Sequence, residues 1–183
     1  ENYLDVSEYT LRKGRNFSKT EVNSNTHYVI LGSAIASELF KNNENPDILD
    51  LLIRRGAKLN ARDKKEQTAL IWAARYNANP QISKILIENG AKLDVENKKG
   101  ETPLLSAIIG GNKKVAKMLI DNGSDVNTSN NSNETALMFA ISKFDDPDFI
   151  KSLLENGARV NTKTDEGRTA LMGAAKYNDN PEV

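Results

Sequence analysis

Glu66-Gln67-Thr68-Ala69-Leu70-Ile71-Trp72-Ala73-Ala74 is the stretch to which this chain keeps returning. Thr68-Ala69-Leu70 comes back as Thr102-Pro103-Leu104, Thr135-Ala136-Leu137 and Thr169-Ala170-Leu171, at offsets of 34, 33 and 34. Glycine keeps the same beat at Gly56, Gly90, Gly123 and Gly157. Two independent markers sharing one period are the signature of supersecondary units stacked side by side, each too small to bury its own apolar face.

Within a unit, the residues read as a Thr-led helix, a short turn, a second helix, then a glycine and a polar stretch. Ile82, Ile85 and Leu86 recur as Val115, Met118 and Leu119, and with small drift as Phe149, Leu153 and Leu154. That spacing marks one buried helical stripe. Pro46, Pro80, Pro147 and Pro181 fall where the second helix begins, and Pro103 where a first helix begins. At a first helical position the missing N–H costs nothing and the fixed φ helps. The periodic glycines follow a helix, where a left-handed cap needs no Cβ. Gly100 and Gly167 occupy equivalent loop tips, places for turn glycines. Leu59-Asn60, Leu93-Asp94, Val126-Asn127 and Val160-Asn161 open excursions too short and too polar for core strands, so they read as hairpin-like loops.

The period divides residues 1–183 into one repeat domain. Regular units cover 68–90, 102–123 and 135–157. Residues 169–183 read as a truncated unit. Val6, Tyr9 and Leu11 precede Gly14 as Ile48, Leu51 and Ile53 precede Gly56, so residues 1–14 read as the second helix of a partial unit. Residues 26–56 form an irregular unit lengthened by about eight residues, with Ser33 as the expected cap of its first helix. Its segment His27-Tyr28-Val29-Ile30-Leu31 has β character and reads as a lengthened loop or hairpin. Both ends fall inside a unit, and the expectation is a portion of a longer protein.

Composition narrows the chemistry. Twenty-five Lys and Arg balance 25 Asp and Glu, which argues against a dedicated nucleic-acid binder. Cysteine is absent, so disulfides and thiolate chemistry are excluded. No apolar run approaches the ~18–20 residues of a membrane span. His27, the only histidine, has no second imidazole for a triad or metal site. Asp145, Asp146 and Asp148 lack the glycine and bidentate Glu of a calcium loop and read as acids at a helix N-terminus. Gly110-Gly111 is not a phosphate loop, because no G-x-x-x-x-G-K-[ST] pattern surrounds it. No catalytic set, cofactor or metal is expected.

Thr68-Ala69-Leu70-Ile71-Trp72-Ala73-Ala74 followed by Leu86-Ile87-Glu88-Asn89-Gly90-Ala91-Lys92-Leu93-Asp94, with three further copies, resembles the ankyrin repeat. The turns Asn77-Ala78-Asn79-Pro80, Asp145-Asp146-Pro147 and Asn178-Asp179-Asn180-Pro181 depart from the family's Gly-His. In this they are similar to bacterial members. The resemblance implies an all-α solenoid of stacked helix-turn-helix units joined by hairpin-like loops. It also implies a non-enzymatic, monomeric module that recognises another protein through hairpin tips and a concave face. No nucleic acid, membrane or small-molecule substrate is implied. The alternative is a substrate-docking array of a larger enzyme or effector whose catalytic part lies elsewhere.

In a stack, residues one period apart lie side by side, so columns make surfaces. The loop tips carry Lys64-Lys65, Lys98-Lys99, Asn131-Ser132 and Asp165-Glu166, passing from basic to acidic. Residues 1–99 hold 16 basic against 13 acidic side chains, a mild asymmetry able to orient a partner of opposite polarity. At the end of the first helices stand Arg75-Tyr76, Ile109-Gly110, Ser142-Lys143 and Lys176-Tyr177. In ankyrin-like proteins this column lines the concave face. Tyr beside Arg or Lys is the composition of interaction hot spots. The candidate partner-binding residues are therefore Lys64, Lys65, Arg75, Tyr76, Lys98, Lys99, Lys143, Lys176 and Tyr177. The bland alternative for each is a solvated charge or a ring packed on the next turn. Trp72, in a column with Ser106, Phe139 and Gly173, is expected in the core between units.

Overall fold

The computed structural model describes residues 46–76, 79–144 and 146–177. The expectations for residues 1–14, for the lengthened unit before Pro46 and for Pro181-Glu182-Val183 fall outside them.

Eight helices are described: α1 Pro46–Arg54, α2 Ala69–Tyr76, α3 Pro80–Glu88, α4 Pro103–Ile109, α5 Lys113–Asp121, α6 Ala136–Lys143, α7 Pro147–Glu155 and α8 Ala170–Tyr177. Each helix is only two or three turns long, below the length at which isolated helices hold in water. Their ends are accordingly well capped. The hydroxyls of Thr68, Thr102, Thr135 and Thr169 accept from the N–H of Ile71, Leu105, Met138 and Met172, which is why Thr opens every first helix. Second helices α3 and α7 are capped by Asn79 and Asp146, each followed by proline. At the far ends the Nδ2 groups of Asn89, Asn122 and Asn156 donate to carbonyls four residues back. The glycine after each asparagine has φ between +87° and +89°, a conformation that costs a residue with a Cβ.

The helices form two rows. First helices α2, α4, α6 and α8 pack successively on one another, and second helices α1, α3 and α5 form the outer row. Contact is more extensive in the first-helix row than in the second-helix row. Leu70, Leu104, Leu105, Leu137, Leu86, Leu119 and Leu153 are buried in a continuous seam between the rows. Ala73, Ala74, Ala107 and Ala140 are fully buried in the same core. The seam thins at α8: Leu171, in the column of buried Leu70, Leu104 and Leu137, is 77% exposed. No further first helix packs over it among the described residues.

Apart from a single antiparallel bridge between Ser129 and Thr135, no strand pairing occurs among the described residues. Each hairpin-like loop is closed by one backbone bond, Asp63 N to Gln67 O, Asn97 N to Glu101 O, Asn130 N to Glu134 O and Thr164 N to Arg168 O, and reinforced by a side chain. Oδ1 of Asp63 accepts from the N–H of Lys65 and Gln67. Asn97 does the same for Lys99 and Glu101, and Asn130 for Ser132 and Glu134. In the fourth loop the Thr164 hydroxyl accepts from Arg168. These four positions keep the 34, 33, 34 spacing, and at each a short polar side chain adds to the backbone closure of a local turn.

Candidate partner interface

The four tips are sewn into a row. Lys98 N donates to Lys65 O at 3.0 Å, Asn131 N to Lys99 O at 2.9 Å, and Asp165 N to Ser132 O at 3.2 Å. Asn131 Nδ2 also donates to Lys98 O, and Asn133 Nδ2 to Asp165 Oδ1. Lower in the loops, Asn60 Oδ1 accepts from Lys92 N and Asn127 Oδ1 from Arg159 N, each bond crossing to the next unit. Residues 32 or 33 apart are thereby bonded side by side, and a ligand crossing the tips meets backbone that is already ordered.

Lys64, Lys65, Lys98 and Lys99 are exposed on the first two tips. Arg75 differs. Its Nη1 lies 2.6 Å from Glu101 Oε2, with the arginine side chain 19% and the glutamate 7% exposed. Asn97 Nδ2 donates to the same oxygen at 2.8 Å. The guanidinium therefore locks the first helix of one unit to the loop of the next.

Tyr76 is 45% exposed at the end of α2. Its ring meets Trp72 with centroids 4.8 Å apart, and the Arg75 guanidinium carbon lies 5.8 Å from its centroid. The Trp72 indole N–H donates to Asp63 Oδ2 at 3.2 Å. Trp72 packs on the core, as its column suggested, but is only partly buried, and it supports the tyrosine from below. This Asp63–Trp72–Tyr76 chain is not legible in the sequence. The i, i+4 spacing of Trp72 and Tyr76 signals the ring pair, but nothing in it signals the loop aspartate.

Gly110 follows Tyr76 in the column and is itself exposed, so this column carries no side chain between Tyr76 and exposed Lys143. Lys176 is exposed in the last turn of α8, and Tyr177 is the final residue of that helix. The structure thus brings Lys64, Lys65, Lys98 and Lys99 together on adjoining tips. It sets Tyr76, Lys143, Lys176 and Tyr177 along the ends of the first-helix row.

On the opposite side, at the inter-helix turns, Lys113 pairs with Asp146, which also accepts from the N–H of Asp148 and Phe149. The lysine contact and the two amide donors hold the Asp146 carboxyl below the usual carboxylate range. This is the acid-dressed helix start read from the Asp145–Asp148 stretch. A depression of about 290 Å³ lies at the same turns, lined by Pro80 and residues 111–115. A second, of about 270 Å³, lies between the last two tips. Among the described residues no group of three His, Cys, Asp or Glu could hold a metal ion, and no helix is long and apolar enough to cross a membrane.

Two family models match the chain. One, described as ankyrin repeats (3 copies), covers residues 34–130. The other, ankyrin repeats (many copies), covers residues 119–171. No match was found among curated proteins.

Proposed function

Because the chain belongs to the ankyrin repeat family, whose members generally mediate protein–protein interaction and are typically non-catalytic, we propose that it binds a protein partner across its hairpin tips and concave face. The observation carrying this reading is the Tyr76 ring, exposed beside the tips yet held by Trp72, whose indole is tied to the loop by Asp63. A supported aromatic gives contact area at low entropic cost, the usual property of a hot spot. Lys143 extends the surface beyond the gap at Gly110. Lys176 and Tyr177 continue it along α8, and Lys64, Lys65, Lys98 and Lys99 border it at the tips. Arg75 contributes as a brace through Glu101, and its guanidinium rests near the tyrosine ring.

The test is to capture the partner with the intact protein, identify it by mass spectrometry, and titrate it by calorimetry against a Tyr76→Ala/Lys143→Ala variant. Both side chains are exposed, so circular dichroism and melting should be unchanged. Affinity should fall by more than about 1 kcal/mol. An unchanged affinity removes the concave face from the interface.

A further inference from the structure

We infer that the partner segment crossing the first two tips is an acidic polypeptide, bound by the ammonium groups of Lys64, Lys65, Lys98 and Lys99. This rests on the protein-binding reading above and names the chemistry of the partner. The four lysines are exposed, and none makes an ion pair with a described residue. Elsewhere the same chain pairs its cations freely, as in Arg54–Asp50, Lys84–Glu88 and Lys151–Glu155.

The carboxylates around the four lysines are mostly engaged by other groups. Glu66 pairs with Arg62, Glu101 with Arg75, and Asp63 accepts from two amides and the Trp72 indole. Glu96 is exposed on the second loop. Five cations (Arg62, Lys64, Lys65, Lys98, Lys99) against four carboxylates (Asp63, Glu66, Glu96, Glu101) leave the first two loops at +1. On the last two loops three carboxylates (Glu134, Asp165, Glu166) stand against two cations (Lys163, Arg168), leaving −1. The hydrogen bond from Lys98 N to Lys65 O fixes the two lysine pairs next to each other. Four exposed ammonium groups on adjoining tips, none held in an ion pair with a described residue, are placed to receive an anionic group from outside.

The shape of the field selects the class of anion. A nucleic acid carries one charge per nucleotide along its whole length. Following the row of tips, it would leave the lysines for neutral Asn131-Ser132 and then meet Asp165 and Glu166. A polypeptide can place Asp and Glu over the first two tips and neutral or basic residues beyond them, matching the row from end to end.

The experiment is selection of random 16-residue peptides displayed on phage against the intact protein. The selected peptides are then synthesised and titrated by fluorescence anisotropy. The proteins compared are the natural chain, a Lys64→Ala/Lys65→Ala/Lys98→Ala/Lys99→Ala variant and a Tyr76→Ala variant, with a 16-nucleotide oligothymidylate titrated in parallel. Selected peptides should contain clusters of Asp and Glu. Their binding should weaken about tenfold or more in the lysine variant, and should fall several-fold as salt rises from about 50 to 300 mM. Peptides without acidic clusters that are sensitive to Tyr76→Ala but not to the lysine variant overturn the acidic class while leaving the protein-binding face in place. Failure to obtain any peptide sensitive to either variant overturns both. Oligothymidylate binding more tightly than the peptides through the same lysines assigns the ridge to nucleic acid and overturns the inference.

Discussion

Gly110 lies so close to the backbone of Arg75 that a Cβ built on it would fall 2.2 Å from the Arg75 carbonyl oxygen. Its φ is −74°, an ordinary helical value, so conformational freedom is not what demands glycine there. Proximity is. Asn112 Nδ2 donates to Ala74 O at 2.7 Å in the same contact, fastening the end of α4 to the end of α2. Gly110→Ala should therefore force the two first helices apart and destabilise the fold by about 2–3 kcal/mol. Neighbouring Gly111 has φ +77° and open space around a built Cβ. Its replacement by alanine should cost only the backbone strain, about 1 kcal/mol. Urea unfolding of both variants checks the ordering, and equal losses would contradict a steric role for Gly110.

The column of Leu70, Leu104, Leu137 and Leu171 offers an internal control. Leu137 is buried in the seam, whereas Leu171 is largely exposed on α8. Leu137→Ala should cost about 2–5 kcal/mol, the transfer term plus an unfilled cavity. Leu171→Ala should stay within about 0.5 kcal/mol of the parent, as surface changes do. Chemical denaturation of the two variants under one condition decides it. A comparable loss for Leu171 would show that its side chain is covered in solution.

The same column shows where sequence reasoning ends. Thr, Gly and Pro recur as single letters because each meets a backbone demand that few residues satisfy, and those letters made the all-α stack legible. The loop clasps were not legible, although Asp63, Asn97, Asn130 and Thr164 keep the period. They share only a short side-chain oxygen, so no one letter repeats. Leu137 and Leu171 both stand in Thr-Ala-Leu-Met, and packing separates them. Arg75 shows a third limit. Columns place residues 33 or 34 apart beside each other, but its ion pair with Glu101 runs diagonally across 26 positions. In the next two units the corresponding pairs are Ile109 with Glu134 and Ser142 with Arg168, so no periodic signal announces the bond. Of the candidate interface, the tip lysines and exposed Tyr76 were legible. The brace formed by Arg75 and the support under Tyr76 were not.

Glu66 sits at φ +61° in the turn position filled by Gly100, Asn133 and Gly167 in the other loops. A left-handed conformation costs a residue with a Cβ about 1–2 kcal/mol, partly offset by the extra freedom glycine has when unfolded. The Arg62 pairing lost with the glutamate is exposed and contributes little. Glu66→Gly should thus raise stability by about 0.5–1 kcal/mol. Asn133→Gly should bring no gain, because asparagine tolerates the conformation and its Nδ2 group bonds Asp165 in the next tip. Paired thermal melts are the measurement. Destabilisation by Glu66→Gly would mean that its side chain matters more than its backbone.

Asp146 links the third and fourth described second helices: it caps α7 and receives Lys113 of α5. The lysine contact, ahead of the Phe149 amide, holds its carboxyl below the ordinary carboxylate range in the folded chain. Between the folded and unfolded values the unfolded chain binds more protons, so stability rises with pH across that window. The contribution is therefore complete above the unfolded carboxylate value and is lost as pH falls through the lowered folded one. Asp146→Asn keeps an acceptor for the Asp148 and Phe149 amides but removes the charge. The variant should be less stable than the parent at about pH 7, and the gap should be smaller at about pH 2.5, below the ordinary carboxylate value and closer to the lowered folded one. Lys113→Ala should reproduce the loss at neutral pH and should add little on top of Asp146→Asn, because the two side chains share one interaction. Urea titrations of the four proteins at both pH values test this. A gap that persists undiminished in acid, or losses that simply add, would show that Asp146 acts as a neutral cap and that the lysine contact contributes nothing.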